Sequence, residues 1–346
     1  VSPEGDGAAP RLARLIERFG SIPLSLFMAE ANAHYYATRD PLGVDGDFTT
    51  APEISQMFGE LIGLWAADLI MRSPVPEAVE LVELGPGRGT LAADALRSML
   101  QFGPAPAIHL VETSPVLRDL AAVRVPYARF HYEIATLPTN APLVIIANEF
   151  FDALPIRQIV QTEGGWRERQ VAFTGDRFVP VPGLVPLDMA VPEVWRGEPV
   201  GTIIEQAPAA TAIIADLGQR LMQQGGSMLI IDYGYGHSQP GDTLQAISRH
   251  QFSDPFAAPG NQDLTAHVDF GALEAAARGE GLSVFGPVGQ GDFLRALGIE
   301  ARAAKLGGAA VAAQLHRLTA AEAMGDMFKV MALTPPDWSA PEGFAG

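Results

Sequence analysis

The run Glu80-Leu81-Val82-Glu83-Leu84-Gly85-Pro86-Gly87-Arg88-Gly89-Thr90 restricts the fold more than any other part of this chain. Five residues of mostly apolar strand lead into a glycine-rich bend and then a helix start. Glycines at 85, 87 and 89 let the backbone turn tightly and approach a ligand where a Cβ would clash. The spacing is G-x-G-x-G, with the acidic Glu83 two residues before the first glycine. A dinucleotide pyrophosphate requires G-x-G-x-x-G and a helix N-terminus free of nearby negative charge. A carboxylate at the strand end suits a ligand with a cationic end instead. S-adenosylmethionine (SAM), with an ammonium and a sulfonium, is such a ligand.

At 346 residues with 48% hydrophobic content, the chain can fill a large globular core. No run approaches the eighteen or so apolar residues of a membrane helix, and the first twenty residues lack the apolar core of a signal peptide. The expectation is no membrane insertion and a cytoplasmic location. Cysteine is absent, which removes disulfides, thiolate nucleophiles and Cys-ligated zinc. A net charge of −17 argues against a nucleic-acid partner and favours a basic or cationic substrate.

Apolar spacing predicts a helix within Arg11–Phe27 and another from Ile54 to Met71. The polar loop between them, Tyr35 to Pro52, carries Gly43, Asp45, Gly46, Asp47, Thr49 and Thr50 and is long enough for a lid. Strands at 79–84, 107–111, 128–131 and 143–147 then alternate with helices at 90–101 and 115–123. This βαβ series predicts a doubly wound, mostly parallel sheet with the ligand at the strands' carboxyl ends. Alternating runs at 157–162, 167–173 and 177–181 predict a β-hairpin insertion. The core resumes with a helix at 207–223, a strand at 228–231 ending in Asp232, and, after a loop at 234–266, a helix at 270–279 capped by Asp269. Strands 282–288 and 328–334 read as an antiparallel edge pair, and 292–325 as an alanine-rich helical cap. The expected divisions are 1–75 (helical segment and lid), 76–156 (first half of the core), 157–205 (insertion) and 206–346 (second half with cap).

Glu112 ends strand 107–111, 23 residues past Gly89, close to the interval at which an acid meets the ribose hydroxyls. Strand 143–147 ends in Asn148-Glu149-Phe150-Phe151-Asp152, a candidate substrate pocket of one amide, two carboxylates and two aromatics; core packing is the alternative for the phenylalanines. His250, Asp254, Asp263, His267 and Asp269 share one loop. They lack the tight pairing of a metal motif and more simply bond backbone groups, although a histidine there could act as a general base.

The segments Asn32-Ala33-His34-Tyr35-Tyr36, Gly46-Asp47-Phe48-Thr49-Thr50-Ala51-Pro52-Glu53-Ile54-Ser55, Glu83 to Thr90 and Asn148 to Pro155 occur in this order. Together with Ile231-Asp232-Tyr233-Gly234, Arg249-His250-Gln251 and Asp263 to Phe270, they make the chain resemble the MidA family over nearly its whole length. The resemblance implies a class I, Rossmann-like SAM-dependent methyltransferase. It further implies symmetric dimethylation of a protein arginine in the 49 kDa-type subunit of respiratory complex I during assembly. It assigns SAM binding to Glu83, Gly85, Gly87, Gly89 and Glu112, with Thr50, Pro52 and Glu53 closing over the cofactor. It names no catalytic base. Because arginine stays cationic, carboxylates must align it, and Glu149, Asp152 and Asp232 are the candidates, Asp232 alternatively holding its turn. The absence of a presequence and a lysine content of Lys305 and Lys329 suggest a bacterial member. An NAD-dependent dehydrogenase and a catalytically silent SAM-binding scaffold are the competing readings.

Overall fold

The computed structural model describes residues 7–43, 46–248 and 250–344; Asp45 and Arg249 lie outside the described residues. The chain begins with α1 (Ala8–Phe19), β1 (Ile22–Pro23) and α2 (Leu24–Thr38). The expected single helix is therefore two, broken where Gly20 takes φ +85° and Pro23 follows. The second continues through Tyr35 and Tyr36 and shortens the expected loop. After α3 (Ala51–Ile54) and α4 (Gln56–Met71) come β2 (Glu80–Leu84), α5 (Thr90–Met99), β3 (Ile108–Val111), α6 (Pro115–Arg124), β4 (Arg129–His131) and β5 (Leu143–Asn148).

All six residues of β5 are buried, as expected of a central strand covered on both faces. It pairs in parallel with β2 and with β10 (Gly226–Tyr235), while β2 pairs with β3 and β3 with β4, all parallel. β16 (Phe328–Thr334) runs antiparallel to β10 and to β15 (Ser283–Gly289), completing the order β15-β16-β10-β5-β2-β3-β4. From β2 the chain winds outward to β4 and then returns to β5 on the other side of β2. Their carboxyl ends therefore flank the crevice in which such sheets bind ligands.

Side chains alternate to two cores. Leu81, Leu110, Ile146 and Ile231 meet α4, α5 and α6 together with α9 (Gln290–Ala296), α10 (Ile299–Leu306) and α11 (Ala309–Thr319). Val82, Leu84, Ile145 and Ile230 meet α7 (Pro208–Gln224) and α8 (Phe270–Gly279). The expected cap helix is thus three short helices, two of them preceded by Gly298 at φ +89° and Gly308 at φ +93°. Burying strand residues of both parities at about 25 cal/mol per Å² is what holds the layers together.

β6 (Arg157–Thr162), β7 (Gly165–Phe173), β8 (Phe178–Pro186) and β9 (Ile203–Gln206) form a second, antiparallel sheet, and β1 joins its edge on β7. The stretch read from sequence as one long loop contains a third sheet, β12-β11-β13, made of Gln245–Ser248 (β11), Gln251–Ser253 (β12) and Asp263–Thr265 (β13). Val268–Asp269 (β14) pairs with the end of β10 before Asp269 caps α8. These pieces and α1–α2 enclose a third core around Phe27, Met28, Val171 and Leu264, and α2, β11 and β13 turn Asn32, Ile247 and Thr265 to the crevice.

Candidate functional site

Gly85, Gly87 and Gly89 all adopt positive φ (+64°, +54° and +74°), conformations that disfavour any residue with a Cβ. They play different parts. Gly85 and Gly87 line a cavity of about 880 Å³ at the carboxyl ends of β2, β3 and β5. A Cβ on Gly85 would stand 3.1 Å from the Phe150 ring, and one on Gly87 would stand 2.8 Å from Leu42 Cδ1. Gly89 does not line the cavity; a Cβ there would meet the Ala121 backbone at 3.2 Å, so this glycine lets α5 start close against α6.

Glu83 is 4% exposed, and its Oε2 is buried without a hydrogen-bond partner. Burial pushes its pKa up to about 8 against the lowering effect of the Ala92 N–H, and the Glu112 charge adds to the rise. Glu112 is also buried. Burial raises its pKa, opposed by the backbone N–H groups of Ser114, Gly87 and Thr113, and its Oε1 accepts the Ser114 N–H at 2.8 Å. A buried, unpartnered carboxyl oxygen beside a glycine turn fits the donor-rich, cationic end of SAM and opposes a pyrophosphate.

Thr49, Thr50, Pro52 and Glu53 line the same cavity. The segment before α3 is latched by Arg88, whose Nε donates to Asp40 Oδ2 at 2.7 Å and whose guanidinium also donates to the Leu42 carbonyl. Arg88 Nη1 stands 3.5 Å from Glu53 Oε2, and Thr90 donates its hydroxyl to Glu53. The arginine of the glycine turn thus holds the segment that covers it.

At the end of β5, Glu149 sits at φ +50°, a position held in place by its surroundings because a non-glycine residue pays for it. Its Oε1 accepts the Ala51 N–H at 3.1 Å and a hydrogen bond from Asn148 Nδ2 at 3.2 Å, joining the end of β5 to α3. Burial pushes the Glu149 carboxyl up to about 8, and Asp152 adds to the rise. Asp152 is pushed up to about 6 by burial, opposed by a hydrogen bond from Tyr233. Both line the cavity, as do Asn148 and Phe150, whereas Phe151 is 3% exposed and belongs to the core.

Asp232 is placed differently from its expected catalytic position. It is fully buried and does not line the cavity; Oδ2 accepts the N–H groups of Phe150, Phe151 and Asp152 at 3.1, 2.9 and 3.3 Å, and Oδ1 that of Tyr233 at 3.0 Å. Burial and the neighbouring Asp152 and Glu149 charges raise its pKa. Its geometry is that of a brace for the 150–152 turn.

The loop histidines and aspartates diverge. Asp254 Oδ1 accepts the Phe256 N–H at 2.9 Å, Asp269 caps α8, and the His250 N–H donates to the Asp47 carbonyl at 2.9 Å. His267 packs edge-on to Tyr233, burial lowers its pKa, and it lines the cavity. Among the described residues no three such groups stand together as metal ligands. Asp263 alone of the acids in that loop turns to the cavity, where Tyr36 donates to its Oδ1 at 2.8 Å. Sequence reading gave Asn32, Tyr36 and Tyr233 no role of their own. Asn32 donates to the Ala153 and Leu264 carbonyls at 3.1 and 2.8 Å and accepts the Leu264 N–H, stitching α2, the 148–155 turn and β13. The available signal was Asn32 and Tyr36 four residues apart, on one face of a helix, and Tyr233 directly after the strand-end Asp232.

A family model described as S-adenosyl-L-methionine-dependent methyltransferase matches residues 61–288. The chain belongs to this family. It is 36% identical to the mitochondrial protein arginine methyltransferase NDUFAF7 of Rattus norvegicus, over 96% of this chain and 86% of that protein. It is 34% identical to the Homo sapiens protein of the same name, over 87% and 76%. A solved structure of a protein from Burkholderia thailandensis, bound to S-adenosyl-homocysteine, matches with a TM-score of 0.81 and 27% identity over 98% of this chain and 92% of that one. The protein is a SAM-dependent methyltransferase with a mixed α/β fold, and the dehydrogenase and silent-scaffold readings fall away. The cytoplasmic expectation is corrected: these curated relatives are mitochondrial proteins. They likewise give no support to the bacterial assignment drawn from lysine content.

Proposed function

We propose that the enzyme methylates a protein arginine, with symmetric dimethylation of a 49 kDa-type complex I subunit as the target. The observation carrying the arginine reading is the pair Glu149 and Asp152, buried carboxyls at the cavity to which no arginine or lysine hydrogen-bonds among the described residues, Arg317 acting on Glu149 only through its charge. The relatives' names support a protein arginine substrate; the complex I target rests on the MidA resemblance. We further read the core as doubly wound, with 157–205 inserted as hairpins between the halves 76–156 and 206–346 and with 1–75 as the covering segment.

SAM supplies a methyl group on a sulfonium. In this reading Glu83 takes the ammonium end and Glu112 the ribose hydroxyls, Gly85 and Gly87 give the close backbone approach, and Gly89 sets α5. Thr50, Pro52 and Glu53 close the site and exclude water. Glu149 and Asp152 would hold the guanidinium with one terminal nitrogen toward the methyl, and one of them would take the proton that nitrogen loses as the methyl passes to it and the methyl–sulfur bond breaks, its electron pair staying on the thioether sulfur. Asp232 keeps both on their turn.

Glu149→Gln and Asp152→Asn should each retain SAM affinity on purified protein and lose arginine methylation by about a hundredfold or more, measured by mass spectrometry of the subunit. Full dimethylation by both variants would refute the clamp. An unmodified subunit in cells with the parent enzyme would sink the target while leaving methyl transfer standing.

A further inference from the structure

Asp263 lies at the start of β13, far in sequence from Glu149 and Asp152, yet it faces the same cavity and is 3% exposed. Its position is fixed from three sides. Tyr36 donates to Oδ1 at 2.8 Å; Asn32 grips both the N–H and the carbonyl of the next residue, Leu264; and the Ala266 N–H donates to the Asp152 carbonyl at 3.0 Å, tying β13 to the turn that carries the clamp. Burial, together with the Asp152, Asp47 and Glu149 charges and against the Tyr36 hydroxyl, pushes the Asp263 carboxyl up to about 8. Among the described residues no arginine or lysine hydrogen-bonds to Glu149, Asp152 or Asp263. Gathering three such groups disfavours their charged forms, and a cationic ligand favours them.

A second observation points the same way. Asn148 lines this cavity and is 8% exposed, and its buried Oδ1 accepts no hydrogen bond. An orphan acceptor needs a donor. A guanidinium offers five N–H donors in a plane, enough for several carboxyl oxygens and the amide, whereas an ammonium offers three from a single point.

Resting on the arginine reading above, we infer that Asp263 is a substrate-positioning residue, the third carboxylate of a guanidinium subsite completed by Glu149, Asp152 and the Asn148 carbonyl oxygen. Its tether to Tyr36 keeps one oxygen occupied and leaves the other for the cation.

The test uses butylguanidinium as a bare probe of the subsite, with its binding to the full chain saturated with S-adenosylhomocysteine followed by ligand-observed NMR. Asp263→Asn keeps the shape and an acceptor for Tyr36 but removes the charge. It should weaken butylguanidinium at least tenfold, raise KM for an arginine protein substrate by a similar factor with a smaller change in kcat, and leave S-adenosylhomocysteine affinity within twofold. Tyr36→Phe, which keeps the charge and removes the tether, should weaken the probe by about threefold. Equal probe affinity in parent and Asp263→Asn overturns the inference, as does a parent that binds no butylguanidinium. So does a parallel loss of S-adenosylhomocysteine affinity, which would make Asp263 a scaffold residue. If the probe binds as expected but no arginine is methylated, the subsite stands and the arginine methyltransferase reading fails.

Discussion

At the scale of single residues, the acid before the glycine turn sets a pH dependence. Burial holds the Glu83 carboxyl at about 8 in the ligand-free protein, so at pH 7 it is mostly protonated, while an ammonium ligand favours the ionised form. Binding therefore releases a proton. SAM affinity should rise as pH goes from about 6 to 7.5, by at most tenfold per unit, and calorimetry in buffers of different ionisation heat should detect the released proton. Glu83→Gln should bind more weakly with a flatter profile; an unchanged slope would place the titrating group elsewhere. The glycines divide similarly. Gly87→Val should abolish SAM binding, because φ +54° excludes a branched residue and its Cβ strikes Leu42 at the cavity wall. Gly89→Ala should instead cost about 1–3 kcal/mol of stability in denaturant melts, with SAM affinity of the folded fraction kept, since its Cβ meets α6.

Elements couple through a few side chains. Arg88 on the glycine turn binds Asp40 and the Leu42 carbonyl, so two segments that line the cavity are held together. Arg88→Ala should speed S-adenosylhomocysteine release in stopped-flow by about tenfold or more, while the melting temperature moves by only a few degrees, because the ion pair is partly exposed. An unchanged release rate would mean that the 39–53 segment does not gate the cofactor. The helix carrying Asn32, Tyr35 and Tyr36 has a comparable position, reaching both the 148–155 turn and β13. Its continuation to Thr38 was hidden from periodicity, because its apolar face meets several partners around its circumference and shows almost no single-sided pattern.

For the molecule as a whole, several buried acids share one linkage. Glu83, Glu149 and Asp263 are pushed to about 8 and Asp152 to about 6 in the folded state, all above the values they would have unfolded. Groups raised on folding contribute stability fully below their unfolded pKa and lose it as pH rises through the folded pKa. The ligand-free protein should therefore lose stability between about pH 4.5 and 8, and the chain's net charge of −17 acts in the same direction. Thermal melts at pH 5.5, 7 and 8.5 should fall in that order, with Asp263→Asn flattening the trend; a rise with pH would contradict the buried-acid account. The sequence by itself determined the βαβ order, the glycine turn with its preference for a cationic adenosyl ligand, and the strand-end acids, because these rest on local propensity and on neighbours within one strand, turn and helix start; methyl transfer was legible through the family resemblance. Only the tertiary structure decided that Asp232 braces a turn, that Gly89 faces a helix, that 292–325 breaks into three helices, and that Asp263 joins Glu149 and Asp152. Each of those depends on which distant backbone donors, side chains and carboxyls packing brings within a few ångströms, and sequence spacing does not carry that information.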